Sequence, residues 1–357
     1  MSDVTLTSRG RKHEGWKSVR IRRAMDEVAS SFDLSLTDRW SADSEPVPLD
    51  TFEPVTVSIK GERVITGYVD APSPSYDENT WTIDVSGRSR TGQLVDCSAV
   101  YGSGGLAGVT VADVARALAE PFGIGVVTDE DVGAVFASVQ IEPGETVSEV
   151  VDRLARQRRL WVSDTVDGNL RFLRRSGAVQ DTLIGPSNGS SNEVNILSAD
   201  GAFDGQEQFS EYTVKGQTIG SDLWTGEVSA AAVGKATDAS VPLHRPLVIL
   251  SETQGADAAL RERAVYEAAL RRGRARTVTY RVAGWSRGDR ALWEVGKMVA
   301  VRDDRLRIDA NLLVVATEFI RSEEDGIVTE LTCAEPEAYD LLAIPETKAA
   351  SPMWGGS

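Results

Sequence analysis

The stretch VTVSIKGERVITGYV, residues 55–69, decides the fold. Val55, Val57 and Ile59 alternate with polar residues, Lys60-Gly61-Glu62 supplies a turn, and a second apolar run follows. A period of two puts one face of a strand in a core and the other in water, so the segment predicts a β-hairpin. The same period continues in TWTIDVS (80–86), through Trp81, Ile83 and Val85. Upstream, KSVRIRRAMDEVASSFDLSLTDRW (17–40) predicts a strand, a short helix and a strand. Val19 and Ile21 face inward on the first strand; Phe32, Leu34 and Leu36 do so on the second. Residues 1–97 therefore read as one β-rich unit with a single small helix.

A later segment repeats this order, and internal repeats take precedence over local patterns. In the first unit the order is strand, helix, strand, Trp40, loop, the Val55 strand, turn, strand, loop, the Trp81 strand. In the second, SEYTVKGQ (210–217) gives the first strand and Ala258 to Leu270 the helix. ARTVTYRVAGW (275–285) follows and ends in Trp285; then come the Val299 strand, a turn at Asp303-Asp304, a strand, and the Ile327 strand. Trp40 to Val55 is 15 residues and Trp285 to Val299 is 14; Val55 to Trp81 is 26 and Val299 to Ile327 is 28. Agreement in order and spacing along the whole series predicts two similar tube-type β-barrels, 1–97 and 179–217 with 251–342. A trimer of such a chain presents six similar barrels around one axis. It can then meet a six-fold partner on one side and a three-fold partner on the other.

Between the repeats lies a different pattern. TVADVARALAEPFG (110–123) puts Val111, Val114, Ala115 and Leu118 on one helical face, with Thr110 as N-cap and Pro121 as terminator. TVSEVVDRLARQRRL (146–160) repeats the design, Thr146 and Glu149 forming a capping box. LWVSDTVDGNLRFLRR (160–175) then predicts a hairpin turning at Asp167-Gly168. Residues 98–178 form a small α/β module on this reading, so the fold class is mainly β with an α+β insert. GPSNGSSNE (185–193) reads as a linker, 218–250 as a loop-rich excursion inserted in the second barrel, and 343–357 as a C-terminal tail.

Composition narrows the function. At 357 residues, 41% hydrophobic and 26% charged, the chain is long and apolar enough for several packed units. It has no apolar run long enough to span a bilayer as a helix, which predicts no stable membrane association. The polar N-terminus lacks the apolar stretch of a secretory signal and predicts synthesis in the cytosol. A net charge of −16 opposes tight phosphate binding, so nucleic acid is expected only in passage. With two cysteines, Cys97 and Cys333, and two histidines, His13 and His244, neither a metal site nor a histidine-based triad is expected.

The segment VITGYVDAPSPSYDENTWTIDVSGRSRTGQLVDCSAV (64–100) resembles the baseplate hub proteins of Mu-like contractile-tailed phages, the tail protein P family. Gly67 and Tyr68, the run from Gly87 to Thr91, Leu94, and Val95 to Ala99 carry the resemblance. TVTYRVAGW, LWEVGKMVAV and LTCAEPEAY extend it, and it spans about 16–342. It implies a homotrimeric virion structural protein, related to the hub part of type VI secretion spike proteins. In such hubs two barrels per subunit form a pseudo-six-fold ring joining the hexameric tail tube to the trimeric membrane-piercing spike, beside other baseplate proteins. It also implies assembly in the host cytoplasm, residence in the tail baseplate, no cofactor and no catalysis.

Two charged groups stand out. Gly87 to Ala99 joins the first barrel to the module, and Arg88, Arg90 and Asp96 are expected to pair locally or across subunits; Cys97 is expected to be buried. Arg261, Arg263, Arg271, Arg272 and Arg274 make a basic cluster on one helix. In so acidic a chain it suits either a neighbouring subunit's carboxylates or a solvated face. The alternatives from other classes are a tail-associated cell-wall hydrolase, needing a carboxylate pair or metal in a cleft, and a glycan-binding module.

Overall fold

In the computed structural model the first unit is built from seven strands: β1 (Val4–Ser8), β2 (Arg11–His13), β3 (Ser18–Ala24), β4 (Ser31–Arg39), β5 (Pro54–Ile59), β6 (Glu62–Tyr76) and β7 (Thr80–Ser89). The described residues are 3–39, 49–78, 80–102, 105–128, 131–185, 195–216, 233–250 and 257–340. The strands pair in the order β3-β4-β7-β6-β5-β1-β2. Alternate residues from β1 to β7, among them Leu6, Ile21, Phe32, Val57, Ile65 and Val85, are buried in one cluster. The sheet therefore curls over its own apolar face, as an open barrel does. Two glycines permit this. A Cβ on Gly87 would lie 2.4 Å from the Phe32 ring, and one on Gly67 would overlap the Arg88 carbonyl.

The module follows: α1 (Gly92–Asp96), β8 (Gly105–Leu106), α2 (Val111–Ala119), β9 (Val126–Val127), β10 (Val139–Gln140), α3 (Val147–Gln157), β11 (Trp161–Asp164) and β12 (Leu170–Leu173). Both helices start as their sequences predict. Thr110 with Asp113, and Thr146 with Glu149, form reciprocal capping boxes. The apolar stripes of α2 and α3 share a core with Phe136, Val162, Leu170 and Phe172. α2 ends at Ala119, and a tight turn carries Pro121 to a left-handed Gly123.

The rest of the chain supplies β13 (Val179–Ile184), β14 (Ile196–Phe203), β15 (Glu211–Lys215), β16 (Val233–Thr237), β17 (Pro246–Leu250), α4 (Asp257–Arg274), β18 (Arg276–Ala283), β19 (Met298–Asp303), β20 (Ile308–Ser322) and β21 (Gly326–Ala334). β14-β18-β21-β20 continues the large sheet through an antiparallel β20–β3 seam, making 13 strands in all. Registers show the repeat residue by residue. Val69 pairs with Gly87 as Val314 pairs with Cys333, and one residue bulges immediately afterwards, Asp70 in β6 and Val315 in β20. Val55 opposite Gly67 matches Val299 opposite Leu312, and Trp81 opposite Tyr76 matches Ile327 opposite Arg321.

Four expectations are corrected. No helix lies between β3 and β4; Met25 to Ser30 is a turn, held by the module as described below. The strand at Tyr212 is not part of the second barrel. β15 pairs with β16 and β17, and Tyr212 and Val214 pack on Leu260, Ala264 and Ala268 of α4 in a separate small core. The counterpart of β3 is β14. The excursion at 218–250 also contains two of these strands, β16 and β17. Finally, β13 runs parallel to β19 whereas β1 runs antiparallel to β5, so the repeat ends at those edges. Trp40, the 186–194 part of the linker and the tail 343–357 lie outside the described residues.

Candidate assembly interfaces

The segment Gly87 to Ala99 is a structural joint. Strand β7 brings Arg88 to the face opposite Phe32, and α1 brings Asp96 beneath it. The Arg88 guanidinium donates to Asp96 through both Nη atoms, at 3.0 and 2.6 Å, and to Asp70 through Nε at 2.7 Å. This fork matches carboxylate geometry. It pushes the guanidinium further up, first through Asp96 and then Asp70, and holds the Asp96 carboxyl below the usual carboxylate range. Arg90 crosses to the module and donates to the Gly123 carbonyl. Cys97, the C-cap of α1, is half-buried rather than buried; Cys333 is fully buried, and burial pushes its thiol up.

Three further contacts fix the module and were not visible in local sequence patterns. The hairpin tip meets β6 where Thr66 Oγ1 donates to the Val166 carbonyl at 2.9 Å, and a Cβ on Gly168 would lie 2.5 Å from the Thr66 carbonyl. Buried Asp164 accepts from the Ser30 N–H at 3.1 Å and the Ser30 hydroxyl at 2.7 Å, while Ser163 donates to the Ala24 carbonyl at 2.9 Å. Asp164 and Ser163 thus cross-brace the Met25–Ser30 turn, which explains why helix-forming residues make no helix there. Met25, Trp161, Leu173, Met298 and Leu313 share an apolar cluster, and Trp161 Nε1 donates to the Tyr339 carbonyl at 3.0 Å. The module is therefore seated where the two barrel-like halves meet.

The basic cluster on α4 divides. Arg263 lies 2.7 Å from Glu267; Arg271 lies 2.8 Å from Glu207 and 3.4 Å from Glu267; Arg272 lies 3.6 Å from Glu335. Arg261 and Arg274 are exposed and have no ion pair among the described residues. Among those residues, too, no group of three or more His, Cys, Asp or Glu side chains is placed to hold a metal ion, and no helix is long and apolar enough to cross a membrane.

The face of the sheet opposite the core carries its own ion pairs. Arg20 meets Glu318 at 3.1 Å, and Arg281 meets Asp325 and Glu330 at 2.8 and 2.9 Å. Two of the open sheet edges bear on assembly. The outer edge of β6 beyond its bulge, and the outer edge of β14, pair with no strand among the described residues.

A curated relative, the baseplate hub protein gp44 of Escherichia phage Mu, is 30% identical over 345 residues, covering 94% of this chain and 88% of its own. The chain belongs to the Mu baseplate hub family. Family models divide hub proteins much as the structure does. "Mu phage baseplate assembly protein GpP-like, N-terminal" matches 3–89, "Baseplate hub protein gp44-like, second domain" matches 91–174, and "Mu phage baseplate assembly protein GpP, fourth domain" matches 256–342. Solved structures agree. The 43 kDa tail protein of prophage MuSo2 from Shewanella oneidensis is 32% identical with a TM-score of 0.83, covering 95% of this chain and 99% of that one. A tail protein from Neisseria meningitidis is 29% identical with a TM-score of 0.78, covering 95% and 98%. A type VI secretion component of Escherichia coli shares the fold at 13% identity, with a TM-score of 0.59 and coverage of 95% and 80%. As a member of the hub family, the chain is a structural component of a phage tail baseplate and resides in the virion.

Proposed function

We propose that three copies of this chain form a ring of six barrel-like halves, which joins a six-fold tail tube to a three-fold spike. The observation that carries this reading is the repeat in register. Val55 and Val299, Trp81 and Ile327, and the bulges at Asp70 and Val315 occupy equivalent places in two sheets that are already fused at the β20–β3 seam. Two equivalent wall segments per chain allow three chains to imitate six-fold symmetry on one side and keep three-fold symmetry on the other. The ring assembles in the host cytoplasm, seats the spike beside other baseplate proteins, and does no chemistry. Arg88, Arg90 and Asp96 serve as a joint within the chain, while Arg261 and Arg274, exposed and without an ion pair among the described residues, are the members of the basic cluster that meet a neighbouring subunit.

The sheet face opposite the core lines the central channel in this arrangement. Its guanidinium groups at Arg20, Arg88 and Arg281 are already bound to carboxylates. Cations held by carboxylates in this way do not collect phosphates, so DNA slides past them. Light scattering tests the ring: the expected mass is three times 38.5 kDa, and averaged projections down the axis should show six lobes. A single-chain mass at the highest soluble concentration, or three lobes of one kind, refutes the ring. Retardation of duplex DNA by the purified ring, fading with salt, refutes a non-gripping wall.

A further inference from the structure

Each long strand changes partner at its bulge. β20 pairs with β19 from Ile308 to Leu313, then with β3 from Ala316 to Arg321. β6 pairs with β5 up to Tyr68, and beyond Asp70 no strand among the described residues takes the place that β3 takes on β20. At the far end of the sheet β14, the counterpart of β3, pairs among the described residues only with β18. One chain thus carries an unfilled socket on β6 and an unplaced strand, β14, of the kind that fills the equivalent socket on β20.

We propose that β14 of one copy pairs antiparallel with the Ala71–Tyr76 half of β6 in the next copy. The proposal rests on the ring reading above and supplies its joint. The register follows from the seam already present. Glu318 pairs with Arg22 and Phe319 with Ile21. The equivalent bulges map Glu318 onto Ser73 and Phe319 onto Pro74. Leu34 pairs with Val19, and its counterpart Tyr280 pairs with Ala199, so Ile21 maps onto Gly201 and Arg22 onto Ala202. Ser73 therefore faces Ala202 of the neighbouring copy, and Pro74 faces its Gly201.

Backbone directions support this pairing and give it a sense. Successive residues of a strand turn their N–H and C=O groups to opposite sides. Ser89 N donates to Ser30 O at 2.8 Å, which turns the even residues of β7 toward β6; Ser86 and Asp84 then meet Ala71 and Ser73. Pro72 and Pro74 consequently turn outward. Proline is tolerated in a sheet where its missing N–H faces an edge. On β14, Asp204 N donates to Ala275 O at 3.0 Å, which turns Ala202 and Asp200 toward β18 and leaves the N–H groups of Gly201 and Phe203 outward. In the proposed joint these two groups donate to the carbonyls of Pro74 and Pro72, and the prolines return nothing. An edge that offers only acceptors at residues 72 and 74 accepts β14 but cannot form a full ladder with a second β6 edge, which suppresses wrong pairings before assembly. Exposed Tyr76 and Phe203, at 82% and 54%, would be covered by the same contact. Eight strands per chain, β14 to β6 along the sheet order, then give a continuous wall of twenty-four.

Cysteine cross-linking tests the joint. Ser73 and Ala202 are exposed and form a pair of the closely spaced, non-hydrogen-bonded kind in this register. In a Cys97→Ser background, Ser73→Cys with Ala202→Cys should oxidise to covalent dimers and trimers and nothing larger. Ser73→Cys with Asp204→Cys, two residues out of register, should give at least fivefold less product. Each single variant should remain trimeric by light scattering. Trimers that do not cross-link through Ser73→Cys and Ala202→Cys, or that cross-link equally in both registers, overturn the strand pairing and leave the ring intact. A ladder that runs past three overturns the ring while keeping the pairing, and a chain that stays monomeric and uncrosslinked overturns both.

Discussion

Replacing Asp164 by alanine is expected to loosen the brace between the module and the first half of the chain. The carboxylate side chain is 2% exposed, accepts two hydrogen bonds from Ser30, and lies 3.7 Å from Arg23. Alanine leaves the buried N–H and hydroxyl of Ser30 without an acceptor and removes the counter-charge from a partly buried guanidinium. Breaking a buried charged arrangement from one side costs about 3–5 kcal/mol. Asp164→Asn keeps one oxygen acceptor and loses the charge and one acceptor, so its cost is nearer 1–3 kcal/mol, roughly that of lost hydrogen bonds to a charged group. Urea unfolding of both variants measures the difference, and hydrogen exchange places it: protection should fall at Met25 to Ser30 and at Trp161 to Asp164. A loss under about 1 kcal/mol for the alanine variant, within the range of ordinary substitutions, refutes the reasoning. So does exchange that rises equally at β18 and β21.

Three other outcomes follow from the same structure. Gly87→Ala forces a methyl group into the Phe32 ring and should destabilise by about 1–3 kcal/mol in denaturant titration, with Phe32→Leu restoring only part because the Tyr68 carbonyl also lies within 2.3 Å. The Asp96 carboxyl is held low in the folded chain, so its contribution is present above the unfolded carboxylate pKa and fades as pH falls through the lower folded value. The melting-temperature gap between the native chain and Asp96→Asn should therefore be widest at neutral pH and close in acid, and a gap that widens in acid contradicts the assigned pair. A thiol reagent should label one cysteine per native chain, Cys97, and two after unfolding; prompt labelling of Cys333 contradicts its burial.

Most of the repeat was legible because strand alternation is a local signal. Val55, Val57 and Ile59 and their counterparts at Val299 and Val301 announce themselves in any window of seven residues. The strand β14 was not legible. Its inward positions hold Ala199 and Gly201 where β3 holds Val19 and Ile21, so no apolar alternation marks it. Tyr212 and Val214 do alternate, but the face they cover belongs to α4. The Met25–Ser30 turn was misread for a related reason: its conformation is imposed by Asp164, 134 residues away in sequence. At Arg88 and Asp96 residue type announced a charged pair but left open whether it forms locally or across subunits, whereas the open edges on β6 and β14 depend on which strand neighbours which. Pro72 and Pro74 lie on the first edge, yet in sequence DAPSPSYDEN reads as a loop, because prolines are rare in strands away from an edge; β6 runs through them to Tyr76.

The β20–β3 seam has a kinetic consequence. Every free body recruited into a closed assembly gives up translational and rotational freedom, a loss of several kcal/mol each time. A hexagon made from six loose pieces must find its partners five times before it can shut. With pieces tethered in twos, the first partner of each half is already at high effective concentration, and only two recruitments remain. In the proposed ring, fewer partly built arcs then accumulate before the circle closes.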